Sequence, residues 1–142
     1  MDDVPPDPYL APCCANILMS APCQRIDFSY AGQHIDGSAF SFVALALGSQ
    51  PPSGVTVVQA ELHNGDTADY SSSSNTLTID AGLDIASPFG EIVIVHEATH
   101  AVQDATMPGQ VLWNVDREAA AFVACALYNI YSANYGDRCS FH

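Results

Sequence analysis

The sequence predicts an α+β fold, a small, mainly antiparallel sheet followed by two long helices. Three observations predict it. Alternating and β-branched runs cluster between residues 55 and 80. Ser87-Pro88, with Glu91 behind it, opens a long helical pattern: serine as N-cap, proline in the first turn, an acid near the positive end of the helix dipole. A second helical pattern, favoured by Ala119-Ala120-Ala121, starts near Asn114 or Asp116 and ends before Gly136.

In chain order, the acidic, proline-rich start through residue 12 reads as a linker or tail, and residues 13–142 as one domain. Cys13 to Met19 allows a short helical turn, which Pro22 breaks. Arg25 to Tyr30 alternates as a strand, and Gly32 and Gly37 bracket a turn. Ala39 to Leu47 is an apolar helix ended by Gly48. Val55 to Leu62 is a strand, Asn64-Gly65-Asp66 a turn, Ala68 to Tyr70 a short strand, and Thr76 to Asp80 an alternating strand. The first long helix spans about Pro88 to Ala105, with Pro108-Gly109 ending it. Small alanines on the second let the two helices approach closely.

The chain of 142 residues carries a net charge of −13, with 16 acidic residues against three arginines and no lysine. Such a surface repels phosphate backbones and anionic membranes, so no nucleic-acid partner is expected, while a basic peptide is attracted. No apolar run reaches the ~20 residues of a membrane span, and the N-terminal stretch lacks a signal peptide's basic and apolar regions. The five cysteines, Cys13, Cys14, Cys23, Cys125 and Cys139, include no C-x-x-C pair. A disulfide from Cys13 or Cys14 to Cys23 would close a small loop.

The chemistry concentrates in His96-Glu97-Ala98-Thr99-His100, inside the apolar run of the first long helix. Histidines four apart share a helix face, so both imidazoles reach one metal ion, and Glu97 stands beside them to hold a water. Catalytic zinc takes three protein ligands and keeps one open position. Glu118, at the start of a helix returning antiparallel, is the expected third ligand; Asp116 is its rival. Asp104, one turn beyond His100, is expected as an outer-shell acceptor for a ligand histidine, with Asp116 the other candidate. His34, His63 and His142 read as ordinary surface or loop histidines. Zn2+ acidifies a water, Glu97 takes its proton, and a donor steadies the oxyanion; Tyr128, Tyr131, Tyr135 and Tyr70 are candidates for that donor. The alternative is a zinc-binding, non-proteolytic module that binds a peptide or partner, its site closed by a fourth ligand such as Cys125.

The pairing of His96-Glu97-Ala98-Thr99-His100-Ala101-Val102-Gln103 with Glu118-Ala119-Ala120-Ala121-Phe122 resembles the gluzincin branch of the zincin metallopeptidases, and more narrowly the small metallopeptidase domains of bacterial polymorphic toxins and secreted effectors. Gln103 and Thr106 stand where a metzincin has glycine and histidine, which excludes that branch. Phe122 replaces the aspartate of thermolysin-like enzymes, and no Gly-Thr accompanies Tyr135-Gly136 as in aspzincins. The resemblance implies a zincin-like fold with a twisted sheet, an active-site helix and a ligand-bearing helix. It implies zinc held by His96, His100 and Glu118, with peptide hydrolysis through Glu97. It also implies that the strand Thr76–Asp80 edges the cleft. A narrow peptide or protein target, delivery from a secreted protein, and a cognate immunity or inhibitor protein follow by the same analogy.

Overall fold

The computed structural model describes residues 8–49, 54–63, 65–106 and 113–133. In order these form α1 (Leu10–Met19), α2 (Ala21–Gln24), β1 (Asp27–Tyr30), β2 (Gln33–Asp36), α3 (Gly37–Ala46), β3 (Thr56–Ala60), β4 (Ala68–Ser71), β5 (Thr76–Asp80), α4 (Pro88–Thr106) and α5 (Asn114–Ala133). The fold is mixed α+β, as the sequence predicts.

The start of α4 is built as its residues dictate. The Ser87 hydroxyl accepts from the Gly90 N–H at 3.0 Å, and Pro88 opens the first turn. Gly90 is required there by contact: a Cβ would lie 2.0 Å from the Asp84 carbonyl oxygen. α5 packs antiparallel to α4, for Tyr128 meets Glu91, Cys125 meets Ile92, Glu118 meets both His96 and His100, and Arg117 meets Gln103. Alanines make the approach close: Ala98 and Ala101 on α4 and Ala120, Ala121 and Ala124 on α5 are buried. One core runs beneath, from Leu18, Ile26, Ile35 and Phe40 through Ile79 to Ile94, Val95 and Val102.

The sheet departs from expectation. Its order is β3-β5-β4, with β5 parallel to β3 and antiparallel to β4. It is therefore mixed rather than mainly antiparallel, because the chain between β3 and β5 carries β4 around to the far side of β5. Thr76–Asp80 is the central strand, hydrogen-bonded on both sides, and so does not edge a cleft. The strand that reaches the motif helix is β4, whose Tyr70 N–H donates to Glu97.

Two further corrections concern the first third of the chain. The expected tail is shorter, since α1 begins at Leu10, which is buried. The stretch read as a turn between Gly32 and Gly37 contains a strand, β2, paired with β1 through Phe28 and Ile35. Only Ala31 and Gly32 turn, both with positive φ (51° and 79°), the conformation of a two-residue hairpin. Cys13, Cys14, Cys23 and Cys125 are free thiols, so the small disulfide loop does not form. The Pro108-Gly109 helix stop, Asn64, Cys139 and His142 lie outside the described residues. Among the described residues no helix is long and apolar enough to cross a membrane.

Candidate metal centre

The helical register brings three predicted residues together. His96 and His100 stand one turn apart on α4, their ring centroids 5.1 Å apart, and Glu118 reaches both from the second turn of α5. Glu118 Oε1 lies 3.1 Å from His96 Nε2, and Glu118 Oε2 lies 3.2 Å from His100 Nε2. One donor atom from each residue falls within 4.8 Å of the others. Metal–ligand bonds of about 2.0–2.2 Å in tetrahedral geometry put ligand atoms roughly 3.3 Å apart, so a bound ion would draw these atoms somewhat closer. The group could hold a metal ion, and it is the one such His/Cys/Asp/Glu cluster among the described residues.

The far sides of the two rings sharpen this. His100 Nδ1 faces Gln103 Oε1 at 2.9 Å. The Gln103 amide is oriented by its other end, where Nε2 donates to the Arg117 carbonyl at 3.1 Å and to Gln33 Oε1 at 2.7 Å. A backbone carbonyl only accepts, so Gln103 Oε1 is the atom turned to His100, and His100 Nδ1 carries the proton. His96 Nδ1 lies 3.8 Å from Cys125 Sγ, whose own S–H is directed to the Ile92 carbonyl at 3.4 Å. With that hydrogen engaged, the sulfur can only accept from His96 Nδ1. Each Nε2 lies within hydrogen-bond distance of a Glu118 oxygen, and with both protons on Nδ1 a metal ion could sit between the two nitrogens and the carboxylate. Burial, and then the nearby His100, lowers the His96 pKa, which favours the neutral, ligating imidazole; Glu118 works the other way.

Glu97 lies beside this group and outside it. Burial pushes its carboxyl up to about 7; the Tyr70 N–H, bonded to Oε1 at 2.9 Å, opposes this, and Asp69, Glu118 and Asp66 add to it. A carboxylate poised near neutrality suits proton transfer at ordinary pH. Glu97 and His96 both line an open cleft of about 270 Å³, walled by Thr67, Phe89, Ile92, Val93, Phe122 and Cys125. The Phe122 ring meets the His96 ring nearly edge-on, with centroids 5.1 Å apart. A larger cleft, about 320 Å³, opens beside α3 and β4 but contains neither imidazole.

Other candidates fall elsewhere. Asp104 accepts from the Tyr70 hydroxyl at 2.8 Å and bonds neither ligand histidine; Gln103 holds the place expected for it. The Asp116 side chain is not in the cluster, and its backbone carbonyl faces Gln33. The Tyr128 hydroxyl donates to Glu91 at 2.6 Å, the Tyr131 ring lies under the Arg25 guanidinium at 4.5 Å, and the Tyr70 hydroxyl is held by Asp104. None of the three points at the centre. Tyr135 lies outside the described residues. Cys125 stands behind His96 rather than in the ligand set, and burial pushes its thiol up to about 12. His34 pairs with Asp27 at an exposed position, and His63 is exposed. Gln33 carried no signal in the sequence, because it lies 70 residues from Gln103; Gln103 shares a helix face with His100 three residues on, a spacing that competed with that of Asp104. No protein-family model matches the chain, and no curated protein or solved structure matches it.

Proposed function

We propose that the protein is a zinc-dependent endopeptidase of zincin-like, gluzincin type, with Zn2+ held by His96, His100 and Glu118. The observation that carries this reading is the convergence of two histidine Nε2 atoms on one carboxylate, with Glu97 and His96 lining one cleft. Bound zinc would supply an acidified water and an electrophile for the scissile carbonyl. Glu97 takes the proton as general base and returns it to the leaving amine. The Tyr70 N–H fixes one oxygen of Glu97, which leaves the other for that exchange. Among the described residues Cys125 lies outside the ligand group and three protein ligands leave a position open, as catalysis requires and a closed structural site does not.

The cleft favours a substrate with a large apolar side chain set against Phe89, Ile92, Val93 and Phe122. The carboxylates of Asp66 and Asp69, which act on Glu97, favour a basic residue next to it. A narrow target suits a toxin or effector domain of a secreted or delivered protein, countered by a cognate inhibitor protein; this part rests on the sequence resemblance.

The test compares the parent with Glu97→Gln. The parent, purified and dialysed, should hold one zinc per chain by elemental analysis and cleave members of a peptide library by mass spectrometry. The variant should retain the zinc and lose cleavage by at least about 100-fold, the usual lower range for a general base. Full cleavage by the variant would remove Glu97 from the chemistry. A parent without zinc would remove the centre.

A further inference from the structure

The metal helices are joined to the β1–β2 hairpin by two glutamines that have no place in the proposed chemistry. Gln33, on β2, is 0% exposed and Gln103, on α4, is 1% exposed. An amide buried this deeply destabilises the fold unless it is satisfied, so each bond it makes constrains the structure. The bonds form one directed relay. Gln33 Nε2 approaches the Asp116 carbonyl at 3.5 Å, a long contact, which turns Gln33 Oε1 toward Gln103. Gln103 Nε2 donates to that oxygen at 2.7 Å and to the Arg117 carbonyl at 3.1 Å. Gln103 Oε1 then accepts from His100 Nδ1 at 2.9 Å. The relay starts at the two carbonyls that immediately precede Glu118 and ends on the ring of a second ligand.

We infer that Gln103 and Gln33 are positioning residues for the metal centre, an inference that rests on the centre proposed above. Gln103 holds the His100 proton on Nδ1, so that Nε2 is presented as a lone pair. By gripping the Arg117 carbonyl it also fixes the register of α5 against α4, and with it the reach of Glu118. Gln33 touches neither ligand. It locks the Gln103 amide in the one orientation that serves both tasks. The β1–β2 hairpin is thereby part of the metal site: a change at Gln33 reaches His100 through a single intervening side chain.

The experiment replaces each glutamine with methionine, which keeps length and volume and removes the hydrogen bonds, and follows two readouts. The first is zinc affinity by competition with a chromophoric chelator. The second is the His100 tautomer in zinc-free protein, read from long-range 1H–15N correlations of the imidazole. Gln103→Met should weaken zinc binding about 10–100-fold, the range for orienting partners of ligand histidines, and should abolish the pure Nδ1–H tautomer. Gln33→Met should shift both readouts the same way by less. Gln103→Glu keeps an acceptor for His100 and loses the grip on Arg117, so it should retain the tautomer and still lose affinity. If the methionine variants fold and both readouts match the parent, the glutamines only fill space and the inference is wrong. If Gln103→Met does not fold, Gln33→Met decides by the same readouts. A parent that binds no zinc but shows a fixed Nδ1–H tautomer defeats the metal centre while leaving the relay standing.

Discussion

The two histidines of the proposed metal centre share a face of α4 and differ in their surroundings. His100 is 8% exposed, and its far nitrogen is held by an amide that is itself locked on two further acceptors. His96 borders the open cleft, its far nitrogen meets only a thiol at 3.8 Å, and its ring is steadied by Phe122, a side chain 65% exposed. One side of the centre is sealed and over-determined, and the other is apolar and accessible. The difference separates two tasks. The sealed side sets geometry, because bonds among buried polar groups have few alternatives. The open side receives what binds, because an apolar wall leaves a polar reacting group in the cleft without competitors. Glu97 belongs to the open side, where the proposed chemistry places it.

The substitution that most directly tests this division is Glu118→Ala. Glu118 bridges the two sides, with one oxygen toward each histidine. Its removal should reduce zinc affinity by more than about 100-fold, beyond the loss expected for an orienting partner. Asp104→Asn should leave zinc content unchanged, because Asp104 bonds Tyr70 and not a ligand. Equal zinc retention by Glu118→Ala and the parent, measured by elemental analysis, would place the third ligand elsewhere.

A second prediction concerns the electrostatic state of the open side in protein stripped of metal. The Glu97 carboxyl titrates near 7 in the folded chain against a reference value of 4.5. The folded state therefore binds this proton more tightly than the unfolded state. Its contribution to stability is fully present below about pH 4.5 and is lost as pH rises through 7, in total about 3 kcal/mol. Glu97→Gln has no such proton. Metal-free Glu97→Gln should be more stable than the parent at pH 8, and the gap should close at pH 4. Parallel unfolding profiles for the two proteins across that range would show that Glu97 is not strained by burial. A gain in stability together with a loss of cleavage is the pattern expected when an active group is held in a costly environment.

Legibility in the sequence followed the same division between local and distant causes. α4 and α5 were readable because caps, proline positions and helical periodicity are local, and His96, Glu97, His100 and Glu118 follow from spacing on those helices. β2 was hidden because its two inward residues are Gln33 and Ile35, and a glutamine breaks the apolar alternation that marks a strand. The residue that obscured the strand is the one that reaches the metal helices, consistent with local rules failing where a site needs something else. The parallel pairing of β3 with β5 depends on how the chain crosses over, which no short window contains. Tyr128 failed as an oxyanion donor for a simple reason of length. It lies ten residues beyond Glu118 on a straight helix, about 15 Å along the axis, which carries it past the centre to Glu91. Asp104 failed because residues three apart also share a helix face, and Gln103 at that spacing reached His100 Nδ1.

The smallest effect expected is at Cys125, and it bears on the contrast between the two histidines. A thiol is a weak acceptor, so its hold on His96 Nδ1–H is far looser than the amide's hold on His100. Cys125→Val keeps the volume and removes the acceptor; Cys125→Ser keeps an acceptor and a donor for the Ile92 carbonyl in a smaller side chain. Zinc affinity should fall only about threefold in the valine variant, below the 10–100-fold range of a strong orienting partner, and recover in the serine variant. A fall in Cys125→Val as large as that in Gln103→Met would mean that the thiol positions His96 as firmly as the glutamine positions His100. The centre would then be evenly braced, and the looseness of its open side would have to be sought in Phe122 and the cleft wall alone.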